Sequence, residues 1–283
     1  MSMSTTLIDA AALGHRLGRD NVLVVDCRFD LGDPQRGQRE YALAHIPGAV
    51  YADLDRDLCD LWKADLGRHP LPDAEAFCEV LGRWGWTPQT HVVAYDAASG
   101  ANAAARLWWM LRLIGHRDVA VLDGGLPAWN SVAWPLNSEA VRRHPTAVAA
   151  RFDAEEIVYT DTLQKIQQDV VLLDARAAPR YRGEVEPIDP VAGHVPGARN
   201  RPFSDNLAAD GKFKPAAVLR EEFSRLIAPN FPEDVVHMCG SGVTACHNLL
   251  AMEHAGLAGS RIYAPSWSGW IADPTRPIER SAA

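Results

Sequence analysis

Val22-Leu23-Val24-Val25-Asp26-Cys27-Arg28 and Val170-Val171-Leu172-Leu173-Asp174-Ala175-Arg176 share one pattern, four apolar residues followed by Asp-x-Arg. Nineteen residues after Asp26 stands His45-Ile46-Pro47-Gly48-Ala49, and twenty after Asp174 stands His194-Val195-Pro196-Gly197-Ala198. Further on, His91-Val92-Val93-Ala94-Tyr95-Asp96 matches Asp234-Val235-Val236-His237-Met238-Cys239, and each half closes on an aromatic segment with Trp129 or Trp270. Self-similarity at this spacing reads as one domain written twice. It predicts an N-terminal domain over 1–140, a linker over 137–155 and a C-terminal domain over 156–283. Within each copy, short β-branched runs alternate with helical patterns such as Asp73–Trp84 and Ala101–Ile114. The expected fold class is therefore α/β: two tandem domains from an internal duplication, each a parallel sheet flanked by helices.

The copies differ at one chemically important place. Where the second has Cys239, the first has Asp96. In parallel sheets, sites lie beyond the carboxyl ends of the strands, and Cys239 follows directly on the apolar run Val235-Val236-His237-Met238. After it come Gly240-Ser241-Gly242-Val243-Thr244, which offer bare backbone N–H groups, and then a helical pattern from Ala245 to Gly256. A helix terminus favours negative charge by about 0.3–2 kcal/mol, and a hydrogen bond to a charged group adds about 1.5–3 kcal/mol. Bringing an ordinary thiol from near 8.5 to neutrality takes roughly 2 kcal/mol. Two or three loop amides would thus be enough to favour a thiolate nucleophile. The alternative is a packed cysteine ending a strand. Gly-Ser-Gly argues against that, because it gives the core almost no side chain.

Composition excludes other classes. The 283 residues are 47% hydrophobic and 23% charged, ordinary values for a globular protein. A net charge of −8 without long charge runs argues against nucleic acid as a partner. No stretch approaches a membrane span, and Met1-Ser2-Met3-Ser4-Thr5-Thr6 lacks a basic region before an apolar one, so a cytoplasmic location is expected. Five cysteines (Cys27, Cys59, Cys78, Cys239, Cys246) make neither a disulfide framework nor a Cys-x-x-Cys pair. His237, Cys239, Cys246 and His247 lack zinc spacing, so no metal and no cofactor are expected. Trp108-Trp109, on a predicted helix, read as core.

At these residues the chain resembles the two-domain rhodanese superfamily nearly end to end, where Asp in place of Cys in the first copy is usual. The loop Cys239 to Thr244 is similar to that of 3-mercaptopyruvate sulfurtransferases, whereas thiosulfate-preferring members usually carry basic residues after the cysteine. The resemblance implies that Cys239 takes sulfur from a small donor such as 3-mercaptopyruvate and holds it as a persulfide. A thiol acceptor such as thioredoxin, or cyanide, then removes it. It implies that Gly240, Ser241, Gly242, Val243 and Thr244 cradle the substrate. It also implies a relay of Ser241 with His45 and Asp33, and a substrate carboxylate held by Arg180 more than by Arg182. Local readings compete with the relay: His45 as a loop residue, Asp33 as the start of a turn before Pro34.

Two departures stand out. Relatives often carry an arginine where Glu184-Val185-Glu186-Pro187-Ile188-Asp189 has Ile188. The usual Asp-Gly-Ser-Trp-x-Glu-Trp reads Ala264-Pro265-Ser266-Trp267-Ser268-Gly269-Trp270 here, two acids short, while the first copy keeps Asp123-Gly124-Gly125. Thiosulfate as donor and a non-catalytic sulfur-carrying or regulatory module are the alternative functions. A cysteine phosphatase would need arginine six residues after the cysteine, where Ala245 stands.

Overall fold

The computed structural model describes residues 6–281. Among the described residues ten strands form two five-stranded sheets, and every strand pairing within them is parallel. In the first sheet, β1 (Leu7–Ile8), β2 (Val22–Asp26), β3 (Val50–Tyr51), β4 (His91–Tyr95) and β5 (Val119–Leu122) lie in the order β1-β5-β4-β2-β3. The second comprises β6 (Ile157–Val158), β7 (Val171–Asp174), β8 (Arg199–Asn200), β9 (Val235–Met238) and β10 (Arg261–Tyr263). It repeats the order as β6-β10-β9-β7-β8. The fold class read from the repeat is the one observed.

All residues of β2, β4, β7 and β9 are buried. Helices cover both faces of such a sheet, which is why these strands read as unbroken apolar runs rather than alternating ones. Trp129 lies in the first core beside Val24 and Tyr95, and Trp267 and Trp270 lie in the second beside Val236 and Met238. Trp108 and Trp109, on the helix Ala104–Leu113, are buried too.

The repeated motifs are structural joints. Asp26, fully buried, accepts from the backbone N–H and Nε of Arg28 and forms a 2.6 Å ion pair with its Nη2. Asp174 and Arg176 repeat this with a 2.7 Å pair. A buried pair survives only with its remaining groups satisfied. Each arginine's Nη2 duly reaches a backbone carbonyl, Ala44 in one copy and Gly193 in the other.

Compact units divide the chain less simply than the repeat. One comprises Met1–Asp60, Leu71–Asp153 and Ala209–Phe213; the other comprises Leu61–Pro70, Ala154–Ala208 and Lys214–Ala283. Most of the expected linker is fastened to the first unit: Thr146 N–H donates to Gly82 O at 3.0 Å, and Asp153 N–H to Leu113 O at 2.8 Å. The excursion 61–70 belongs to the second unit, although its sequence lies within the first repeat.

Candidate active site

β9 delivers the chain to Cys239, which is 2% exposed, and the helix Thr244–His254 leaves from the other end of the loop. Gly242 sits at φ 77°, a left-handed conformation that costs a residue with Cβ about 1–2 kcal/mol. In that conformation its N–H donates to Cys239 Sγ at 3.2 Å. The loop therefore places a backbone donor on the sulfur, as its composition suggested.

A second strap holds the loop from outside. Ser266 Oγ accepts the Cys239 N–H at 3.1 Å and donates to Tyr263 O at 3.0 Å. Trp267 N–H and Ser268 N–H donate to the carbonyls of Cys239 and Gly240, at 3.0 and 2.9 Å. Ser266 is held at φ 53°, and its counterpart Gly125 in the first copy is at φ 56°. The same left-handed step thus recurs, and in the second copy it is taken by a serine whose hydroxyl accepts the Cys239 N–H.

The first copy shows what such a loop is suited to hold. The Asp96 carboxylate accepts from the backbone N–H of Ala98, Gly100, Asn102, Ala103 and Ala104, at 2.8 to 3.2 Å. Burial pushes its carboxyl up, and these N–H donors work against that shift. The strand-loop-helix turn is an anion nest. In the first copy a built-in carboxylate fills it; in the second a cysteine stands at the same position.

Ser241 is buried, and its Oγ lies 2.8 Å from His69 Nδ1. His45, the histidine expected beside it, is committed elsewhere. Its Nδ1 meets Tyr41 O at 2.7 Å, its Nε2 meets Glu139 O at 3.1 Å, and its ring stacks on Tyr41. His194 of the second copy repeats the Nδ1 contact with Tyr181 O at 2.7 Å and the stacking on that tyrosine. A histidine with the same packing in both copies is part of the joint, so the partner found for Ser241 is His69 in place of His45. Asp33 is half-buried and pairs with Arg39 at 2.5 Å, while the ring nitrogens of His45 meet the carbonyls of Tyr41 and Glu139.

Arg180, on the short helix Ala178–Arg182, follows β7 and Arg176. Its Nε and Nη2 donate to Glu186, the latter at 2.7 Å, and Nη2 also reaches Asp189 at 3.1 Å. Burial alone would raise Glu186; the Arg180 guanidinium and the N–H groups of Asp189 and Ile188 outweigh it and hold the carboxyl below its ordinary range. Arg182 pairs with Glu184 at the surface, and Ile188 is 42% exposed. Asp189 binds a second arginine, Arg68 Nη1, at 2.5 Å. A Cβ on Gly240 would lie 3.1 Å from Arg68 Nη2 and 3.7 Å from Arg180 Nη2, so both guanidinium groups flank the residue next to Cys239.

Arg68 and His69 both come from the excursion 61–70, and sequence reasoning passed over them. The repeat drew attention to duplicated residues, whereas Gly67-Arg68-His69-Pro70 is not part of any duplicated motif. The altered C-terminal motif explains how the excursion fits. Gly67 lies at φ 94°, with its Cβ direction 2.5 Å from Pro265 O, and Gly269 has no room for a Cβ against Pro265. The excursion is tied down by Arg68 N–H donating to Ser268 Oγ at 2.9 Å. No group of three or more His, Cys, Asp or Glu among the described residues could hold a metal ion. No helix there is long and apolar enough to cross a membrane.

The rhodanese-like domain family matches residues 9–132 and 159–273. A probable 3-mercaptopyruvate sulfurtransferase of Pseudomonas aeruginosa is 48% identical over 279 residues, covering 97% of this chain and 98% of that protein. A putative thiosulfate sulfurtransferase of Mycobacterium tuberculosis is 37% identical over 281 residues, with 98% of each chain covered. Among solved structures, 3-mercaptopyruvate sulfurtransferase from Leishmania major superposes with a TM-score of 0.84 at 30% identity, over 95% of this chain and 76% of that one.

Proposed function

The chain belongs to the rhodanese-like family, and on that footing we propose that it is a sulfurtransferase that moves sulfur from 3-mercaptopyruvate to a thiol through a persulfide on Cys239. One observation carries the choice of donor. The loop 240–244 brings no cation to the sulfur, while the Arg180 guanidinium stands beside Gly240, outside the loop. A 2-oxo acid places its carboxylate several atoms from its sulfur, as that separation requires.

In the first half-reaction the Cys239 thiolate attacks the donor sulfur, forming S–S as the donor's C–S bond breaks. The electron pair of that bond leaves on carbon as the enolate of pyruvate, which takes up a proton. The Ser241 and His69 pair can hold that proton close to the reacting sulfur. Arg180, oriented by Glu186, grips the carboxylate through its planar fork. In the second half-reaction a thiol attacks the outer sulfur, carries it off as a new persulfide and regenerates Cys239. The Gly242 N–H favours negative charge on sulfur in both halves, which is electrostatic preorganisation. The order is ping-pong. A dithiol protein such as thioredoxin fits the acceptor role, and free buried cysteines fit a reducing, cytoplasmic setting.

The test is incubation with 3-mercaptopyruvate and dithiothreitol, following pyruvate and sulfide. Wild type should release both, Cys239→Ser neither, and intact mass without acceptor should rise by one sulfur atom. Pyruvate release equal to that of Cys239→Ser would refute the reading. Thiosulfate with cyanide in parallel ranks the donors.

A further inference from the structure

We propose that Arg68 is a donor-selecting residue: with Arg180 it forms a two-guanidinium grip on the carboxylate of the sulfur donor. The inference rests on the mercaptopyruvate reading and adds the residue that makes its carboxylate matter.

Three observations carry it. Arg68 Nη2 is the nearest group to the Cβ direction of Gly240, at 3.1 Å, with Arg180 Nη2 at 3.7 Å and Nη1 at 3.8 Å on the same side. Arg68 is also oriented for the purpose. Asp189, with a side chain 3% exposed, accepts Arg68 Nη1 on one oxygen and Arg180 Nη2 on the other, so a single carboxylate sets the spacing of the two planes. Arg68 N–H on Ser268 Oγ fixes the backbone behind it. Finally, Arg68 retains donors. Its Nε is buried without a hydrogen-bond partner, an expensive omission for a charged group unless a ligand supplies the acceptor. Most of its side chain is covered, yet 25% stays exposed.

A small anion entering beside Gly240 therefore meets two arginine forks, and a planar carboxylate can accept from both. The persulfide chemistry needs neither guanidinium. Their role is to fix the far end of the donor so that its sulfur faces Cys239.

The experiment compares Arg68→Met and Arg68→Lys with wild type on 3-mercaptopyruvate, using pyruvate as a competitive inhibitor. Arg68→Met should raise KM at least tenfold with a much smaller change in kcat, and weaken inhibition by pyruvate by a similar factor. Arg68→Lys should recover part of the loss. A KM within twofold of wild type, or a defect confined to kcat, overturns the inference. If Arg68→Met does not fold, Arg68→Lys decides: KM raised threefold or more supports the grip, and an unchanged KM overturns it. If wild type makes no pyruvate, the donor assignment falls and takes this inference with it; normal wild-type turnover with unchanged variants removes the inference alone.

Discussion

Ser241 Oγ and His69 Nδ1 lie 2.8 Å apart although 172 positions separate them in the chain. Ser241 stands two residues from Cys239, and this hydrogen bond sets His69 apart from the motif histidines His45 and His194, which bond to the carbonyls of Tyr41 and Tyr181. His69→Gln and Ser241→Ala should each cut kcat with 3-mercaptopyruvate by about 10²-fold, the usual scale of a positioned acid or base. The double variant should lose little more than either one, because the two act as a unit. His45→Gln should lower stability and leave turnover per folded molecule unchanged. Steady-state kinetics beside urea unfolding separates the two outcomes. Near-additive losses at Ser241 and His69 would contradict the pairing.

Gly242 combines φ 77° with the N–H that reaches Cys239 Sγ. Gly242→Ala should cost about 1–2 kcal/mol of stability, from the left-handed strain. It should also slow persulfide formation, since relaxing the strain moves the donor away from the sulfur. Single-turnover pyruvate release read against thermal unfolding would show both effects, and an unchanged release rate would argue against a role for this N–H.

Asp96 fills its nest in the first unit. Asp96→Ala strands five backbone N–H donors and should destabilise by about 3 kcal/mol or more. Asp96→Asn, which keeps an acceptor, should cost less. Denaturant titration measures the order, and equal losses would mean that packing rather than hydrogen bonding dominates there.

His237 lies in β9, fully buried, and burial pushes its imidazole down to about 3. It folds neutral, whereas the unfolded chain takes up a proton near 6.5. Its contribution is therefore fully present above 6.5 and is lost as pH falls towards 3, at no more than about 1.4 kcal/mol per pH unit. His237→Gln should flatten the fall in unfolding free energy between pH 6.5 and 4 relative to wild type. Parallel curves for the two proteins would show that other groups carry the acid sensitivity.

The fold was legible because its signals are local. Four apolar residues before Asp-x-Arg mark a buried parallel strand whose end is pinned by a buried ion pair, and the duplication states this twice. Cys239 was legible for the same reason: strand, small loop and helix are consecutive, so a donor on its sulfur follows from local backbone geometry. Arg180 also lies close in sequence to the strand end that places it.

His69, Arg68 and Asp189 were not legible in that way. A hydrogen bond across 172 positions and an ion pair across 121 depend on where the excursion 61–70 folds, and no periodicity encodes that. The motif histidine His45 drew the relay role because motif and function are easily equated, yet its stacking on Tyr41 recurs at His194 and Tyr181 as architecture. The sequence by itself determined the duplicated α/β units with their parallel sheets, and it placed Cys239 at a strand end before a loop of small residues, since each rests on contiguous residues. Only the tertiary structure decided which histidine meets Ser241 and which arginine joins Arg180. Those partners depend on a segment that leaves its own repeat to pack on the Ser266–Gly269 strap, where Gly67 and Gly269 permit the close approach.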